Sequence, residues 1–322
     1  MSTLAKTRPI KLTDGDRAEL FLAMGRGLNS GLPPDRVLEG AKDVCDGKLN
    51  RQLRLASNGV RKGTSLILAL DRGGLISEID YAMLSCAEDA GAIDAVMLSL
   101  AERYESRHNR WRKLKGKLLY PAVIFVMALF LAPLPALFAE RITGTDYILR
   151  SFGMLALFFM IIHVFQMLLR QLNANGWPMS VSRLARVMPY VGNLARLHER
   201  SEFNGNLAIM LKSGLSVRDA LEEYRRVQPE GLRREHIVQA KSAIEGGSNV
   251  TDALHETELI DDREGFAIIS TGEGAGKLEE GLLRYSLACE SVLEHEYDLI
   301  ARAVPVVVFL MVALMVASGL VG

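Results

Sequence analysis

The sequence predicts an all-α fold: two homologous cytoplasmic six-helix bundles joined to three transmembrane helices. Three observations predict it. Three stretches of about twenty residues carry no charged side chain, the two polar segments before the first and the third of them match each other in order, and apolar residues within those segments recur at helical spacing.

The uncharged stretches are Leu118 to Ala139, Ser151 to Leu169 and Ala303 to Gly322. Wound as helices they are each about 30 Å long, the thickness of a bilayer's hydrocarbon core. Each holds eleven or twelve Leu, Ile, Val or Phe residues, which together favour insertion by about 3 to 7 kcal/mol. An apolar core helix of a large soluble domain fits less well, because no comparable helical partner flanks each tract. None is a cleavable signal, since the first begins more than a hundred residues into the chain.

Basic residues set the orientation. Arg103, Arg107, Arg110, Arg112, Lys113, Lys115 and Lys117 precede the first stretch, and Arg170, Arg183 and Arg186 follow the second. The loop between them, Glu140 to Arg150, sets Arg141 and Arg150 against Glu140 and Asp146. Positive residues stay in the cytoplasm. The expected order is a cytoplasmic domain over 1–116, spans over 117–139 and 151–170 around a periplasmic loop 140–150, a second cytoplasmic domain over 171–301, and a third span over 302–322. The C-terminus is then periplasmic if the host is Gram-negative.

Of the 322 residues 24% are charged and 49% hydrophobic, and the net charge is zero. That argues against a nucleic-acid partner, although the Arg103–Lys117 cluster can touch anionic lipid. Cys45, Cys86 and Cys289 are odd in number, fall in cytoplasmic segments and lack ligand spacing, so they read as reduced packing residues.

The two polar segments are repeats. Gly31-Leu32-Pro33-Pro34-Asp35-Arg36-Val37-Leu38-Glu39 lies over Gly214-Leu215-Ser216-Val217-Arg218-Asp219-Ala220-Leu221-Glu222; Gly63-Thr64-Ser65-Leu66 lies over Gly247-Ser248-Asn249-Val250; and Tyr81 to Gly91 lies over Phe266 to Gly276. The offset drifts only from 183 to 185 residues, as expected of a duplicated unit. Leu20, Phe21, Met24 and Leu28 in the first copy, and Leu207, Met210 and Leu211 in the second, follow helical spacing. Ser77-x-x-Asp80 and Ser216-x-x-Asp219 signal helix starts. Gly31, Gly63, Gly73-Gly74, Gly91, Gly214, Gly246-Gly247 and Gly276 punctuate the turns. The count is about six helices per unit, the last running from near Ile93 or Lys277 into the membrane.

Ile269-Ser270-Thr271-Gly272-Glu273-Gly274-Ala275-Gly276-Lys277-Leu278, its degenerate first copy Glu88-Asp89-Ala90-Gly91-Ala92-Ile93, and the duplicated order resemble the polytopic inner-membrane platform proteins of type II secretion and type IV pilus assembly, the GspF/PilC family. The resemblance covers nearly the whole chain from about residue 16. The first copy departs from the pattern with Ala87 where the signature has Gly, and the short N-terminal arm suggests a pilus subclass. The resemblance implies a protein without enzymatic activity or cofactor. It also implies partners: a hexameric secretion or pilus ATPase, major and minor pilins, other inner-membrane assembly proteins, further copies of the chain and membrane lipid.

Other motifs are weaker. Gly272 to Lys277 looks like a phosphate loop, but a Walker A motif needs Gly at Thr271 and Ser or Thr at Leu278, and no strand precedes it. Those glycines instead suit a tight turn, and a β-branched residue at Gly276 is costly if that turn needs φ above zero. Glu273 and Glu88 either cap the start of the following helix or accept from a neighbouring chain. His198-Glu199 and His255-Glu256 lack the second histidine of a zinc protease helix, and no metal ligand set is found. His163 and Gln166 share a face of the second span, where interhelical hydrogen bonding is favoured over a proton relay. Pro133 and Pro135 kink or end the first span. Glu222-Glu223-Tyr224-Arg225-Arg226 and Arg233-Arg234-Glu235 are candidate docking surfaces or ordinary solvated faces.

Two functions compete. One is an assembly platform that passes an ATPase's motion to pilins. The alternative is a small membrane transporter with His163 in its pathway, weakened by having only three spans.

Overall fold

The computed structural model describes residues 12–45, 47–131, 134–138, 189–228 and 232–321, with isolated residues between 143 and 163. Helix α1 (Asp14–Asn29) starts where Thr13 accepts from the Asp16 amide while Asp16 accepts from the Thr13 amide, a reciprocal cap. The first repeat continues with α2 (Pro34–Val44), α3 (Asn50–Arg61), α4 (Leu66–Arg72), α5 (Glu78–Ala90) and α6 (Ile93–Leu131). After the short α7 (Leu134–Phe138), the second repeat comprises α8 (Pro189–Lys212), α9 (Val217–Val227), α10 (Leu232–Glu245), α11 (Val250–Glu256), α12 (Arg263–Gly274) and α13 (Leu278–Val321). Among the described residues there is no strand.

Among the described residues each repeat thus has six α-helices, and their corners coincide. Left-handed backbone occurs at Gly31 and Gly214, at Gly63 and Gly247, and at Gly91 and Gly276. A fourth pair escapes the glycine pattern. Gly74, at φ 68°, is matched by Glu258, at φ 57°. Glu258→Gly is therefore expected to stabilise by about 0.5 kcal/mol, because the left-handed cost of a side chain exceeds the freedom glycine adds to the unfolded chain. A thermal melt should rise by about 1–2 °C; an unchanged or lower midpoint would refute the strain.

Leu20, Phe21 and Met24 of α1 and Leu207 and Met210 of α8 are buried, in a core cluster that includes both repeats. Ser77 and Ser216 cap α5 and α9 as their spacing predicts, accepting from the Asp80 and Asp219 amides at 3.3 and 3.2 Å.

By contacts the chain divides into two units. One holds Met1–Asn109 and Ala195–Ser291; the other holds Arg110–Leu194 and Val292–Gly322. Helix α6 ends at Leu131, ahead of Pro133. In the second unit the Tyr147 hydroxyl donates to the Phe130 carbonyl at 2.9 Å. Among the described residues no helix is long and apolar enough to cross a membrane. Most of the expected second span, Gln166 included, lies outside the described residues, as do many side chains of the other two.

Candidate functional site

The signature segment forms the junction between α12 and α13. Helix α12 ends at Gly274, Gly276 takes φ 69°, and the Lys277 amide reaches back to the Gly272 carbonyl at 2.8 Å, a Schellman closure. The helices then cross backbone on backbone: a Cβ on Gly272 would stand 3.0 Å from the Gly281 Cα and 3.0 Å from the Lys277 carbonyl oxygen.

The adjoining Glu273 carboxylate accepts from the Val250 amide at 2.6 Å, the Thr251 amide at 2.9 Å and the Thr251 hydroxyl at 2.5 Å. It caps a helix, but not the following one. The helix is α11, twenty-odd residues upstream, whose own N-cap Asn249 makes no side-chain cap. A carboxylate on those amides also meets the positive end of the helix dipole. The first copy has the same turn, with φ 71° at Gly91 and the Ala92 amide on the Ala87 carbonyl at 2.9 Å. Its Glu88 makes no matching bond among the described residues; there Ser65 accepts from the Leu68 amide.

A second arrangement recurs in both repeats and was not found from the sequence. In the first, the Asp80 carboxylate, 1% exposed, receives the Arg17 guanidinium at 3.2 Å, the Tyr104 hydroxyl at 2.9 Å, and the Ser77 amide and hydroxyl at 3.0 and 2.6 Å. In the second, Asp262 receives the Tyr285 hydroxyl, and Arg200 at 3.3 Å. The acid has moved from the third helical position to the cap itself. Gly265 fills the vacated position, where a Cβ would be 2.5 Å from the Tyr285 ring. Burial, then the neighbouring carboxylate, pushes both tyrosine hydroxyls up, so they act as donors only. The signal was present: Arg17 lies over Arg200 at the repeat offset of 183.

Comparison with known proteins meets this duplicated geometry directly. The family model "Type II secretion system (T2SS), protein F" matches the chain twice, over residues 20–139 and 203–322. The chain belongs to this family. It is 24% identical over 281 residues to the type II secretion system protein F of Vibrio cholerae, covering 80% of this chain and 68% of that protein. It is 22% identical to the type IV pilus assembly protein PilC of Thermus thermophilus over 81% of this chain and 68% of that protein. Against ComG operon protein 2 of Bacillus subtilis the identity is 27%, over 65% and 70%.

The two protein F repeats meet at a charged seam. Arg103 of α6 lies against the backbone of Gly205 in α8, pairs with the Glu202 carboxylate at 3.3 Å and donates to its backbone carbonyl at 3.0 Å. Arg107 donates to both Glu202 oxygens at 3.3 Å and pairs with Asp14 at 3.4 Å. Burial alone would raise the Glu202 carboxyl, but Arg103 and Arg107 outweigh it and hold it below its ordinary 4.5. A carboxyl depressed by folding stabilises above its unfolded pKa and loses that contribution as pH falls below it. Melts on either side of pH 4.5 should therefore show a loss on the acid side. Glu202→Gln should be less stable above that pH and show a smaller acid-side loss; an unchanged acid-side loss would remove the seam from the account.

The other expected site residues are dispersed. His163 is exposed. Within the first candidate docking run Tyr224 is buried edge-on against Phe203, with centroids 5.3 Å apart. Glu222 is engaged by Arg225 and Lys241, whose hydrogen bonds hold its carboxyl down to about 2. Arg226 pairs with Glu223 at 2.7 Å and Arg233 donates to the Glu199 carbonyl at 2.5 Å. Much of that charge is spent within the fold. Lys277 pairs with Glu280 at 3.0 Å. Burial pushes the thiols of Cys45 and Cys289 up to about 11, which keeps them protonated.

Proposed function

We propose that this chain is the inner-membrane platform of a type IV pilus or type II secretion machine. It couples a cytoplasmic hexameric ATPase to the insertion or extraction of pilin subunits and catalyses nothing itself. The observation that supports this best is the double match to protein F, with each repeat ending in a helix far longer than its bundle needs. Helices α6 and α13 have 39 and 44 residues, about 58 and 66 Å. A continuous helix held by its own hydrogen bonds carries a displacement along its axis, and the turns at Gly91 and Gly276 anchor each one to its bundle. The relatives' names span both secretion and pilus assembly, so the reading covers both machines.

In this reading the spans are 117–139, 151–170 and 302–322, with domains 1–116 and 171–301 in the cytoplasm and the loop 140–150 and the C-terminus in the periplasm. A periplasm-active reporter inserted after Asp146 should be active and one after Gly192 inactive; the reverse would overturn the topology. The coupling itself is tested by affinity capture of the full chain from native membranes. A hexameric ATPase should copurify, and deletion should abolish pili or secretion. Nucleotide hydrolysis by the purified chain alone, or assembly at wild-type level without it, would end the proposal.

A further inference from the structure

The seam between the repeats is used once, although each of its sides exists twice. On one side stand α5 and α6 of the first repeat; on the other, α8 and α9 of the second. Arg103 lies over Gly205, Lys212 donates to the Ser99 hydroxyl at 2.9 Å, and a Cβ on Gly214 would stand 3.6 Å from Ala90. Helix α5 packs directly on α9.

Duplication supplies a second copy of each face, α12 with α13 and α1 with α2. These do not meet within the chain. Gly31, the counterpart of Gly214, has nothing within 4 Å of where its Cβ would be. Helices α2 and α12, the counterparts of α9 and α5, show no packing of that extent among the described residues. On the open face of α13, Leu283 and Leu287 are 44% and 53% exposed. The seam is therefore heterologous: it joins two different surfaces, so one copy of each is left over and the same contact can be made again with another molecule.

We propose that the α12/α13 face of one chain docks on the α1/α2 face of a second copy, repeating between chains the seam that joins the repeats within one. Side-chain size supports this occupant. Inside the chain a long residue, Arg103, crosses a residue with no side chain, Gly205. At the equivalent positions stand Ala288 and half-buried Leu22, so large and small have changed sides. The cationic crossing becomes an apolar one, with Leu287 beside it. Such a contact propagates head to tail and closes as a ring when its rotation permits.

The inference rests on the repeats and not on the secretion reading, so either can fail without the other. The test uses full-length chains in membranes, in a Cys86→Ser background. One tagged chain carries Leu22→Cys and a differently tagged chain carries Ala288→Cys; a short bismaleimide is added after co-expression. A species of twice the 35.5 kDa chain mass bearing both tags is expected, and only when both variants are present. Leu287→Asp on the Ala288→Cys chain should lower its yield at least tenfold with an unchanged melt. If that variant shifts the melt, Leu283→Asp, one turn away on the same face, replaces it. Leu22→Cys chains cross-linking to one another as readily would show a face-to-face dimer and overturn the proposal, and so would the absence of any mixed species.

Discussion

Asp80→Ala should destabilise the first repeat by about 2–4 kcal/mol, the cost of leaving a largely buried cation without its partner. Asp80 is 1% exposed and satisfies four groups at once: the Arg17 guanidinium, the Tyr104 hydroxyl, and the Ser77 amide and hydroxyl. Alone, burial would lower the Arg17 pKa; Tyr104 and Asp80 reverse that and raise it. Removing the carboxylate therefore strands a charge between α1 and α6 and removes half of the reciprocal cap of α5. The second repeat provides the comparison. The side chains of Asp261 and Asp262 are 40% and 36% exposed where they pair with Arg200, and Arg200 keeps Asp261 when Asp262 is removed. Asp262→Ala should cost clearly less than Asp80→Ala in chemical denaturation, even with its cap lost. Equal losses would mean that burial does not decide the strength of these clusters.

Gly272→Val should have a comparably large effect, for a different reason. Its new Cβ would meet backbone on α13, the Gly281 Cα at 3.0 Å and the Gly281 nitrogen at 3.2 Å, and backbone cannot rotate out of the way as a side chain can. Overpacking of this sort costs about 1–3 kcal/mol. Pushing the helices apart also draws Glu273 off the start of α11, so the Val250 and Thr251 amides should exchange faster with solvent. The first repeat shows the alternative spacing. Ala87 and Val96 occupy the equivalent crossing and are fully buried, and Glu88 caps no helix there among the described residues. Normal exchange at Val250 in the variant would separate the glycine crossing from the cap.

The repeat, the six-helix count and the glycine corners were legible because each is local or collinear. A left-handed turn needs glycine wherever it occurs, and matching turns at a nearly constant offset mark duplication. The Ser-x-x-Asp starts were legible for the same reason, since a cap and its amide lie within four residues. Glu273 was expected to cap the following helix or to accept from a neighbouring chain, and it caps α11 instead, because its spacing does not say which of the exposed helix starts comes within reach. The Arg17–Asp80–Tyr104 cluster escaped because its members are 63 and 24 residues apart, and Glu258 escaped because only backbone geometry shows a glycine's task given to another residue.

By itself, then, the chain's order of residues determined the helices, their duplication and their corners, all set by hydrogen bonds and backbone sterics over a few residues. Tertiary structure alone decided which carboxylate meets which amide or guanidinium, and that the repeats join through unlike faces. Those outcomes depend on desolvation and close contact between segments far apart in sequence, where a missing Cβ at Gly205 or Gly272 sets how near two helices can come.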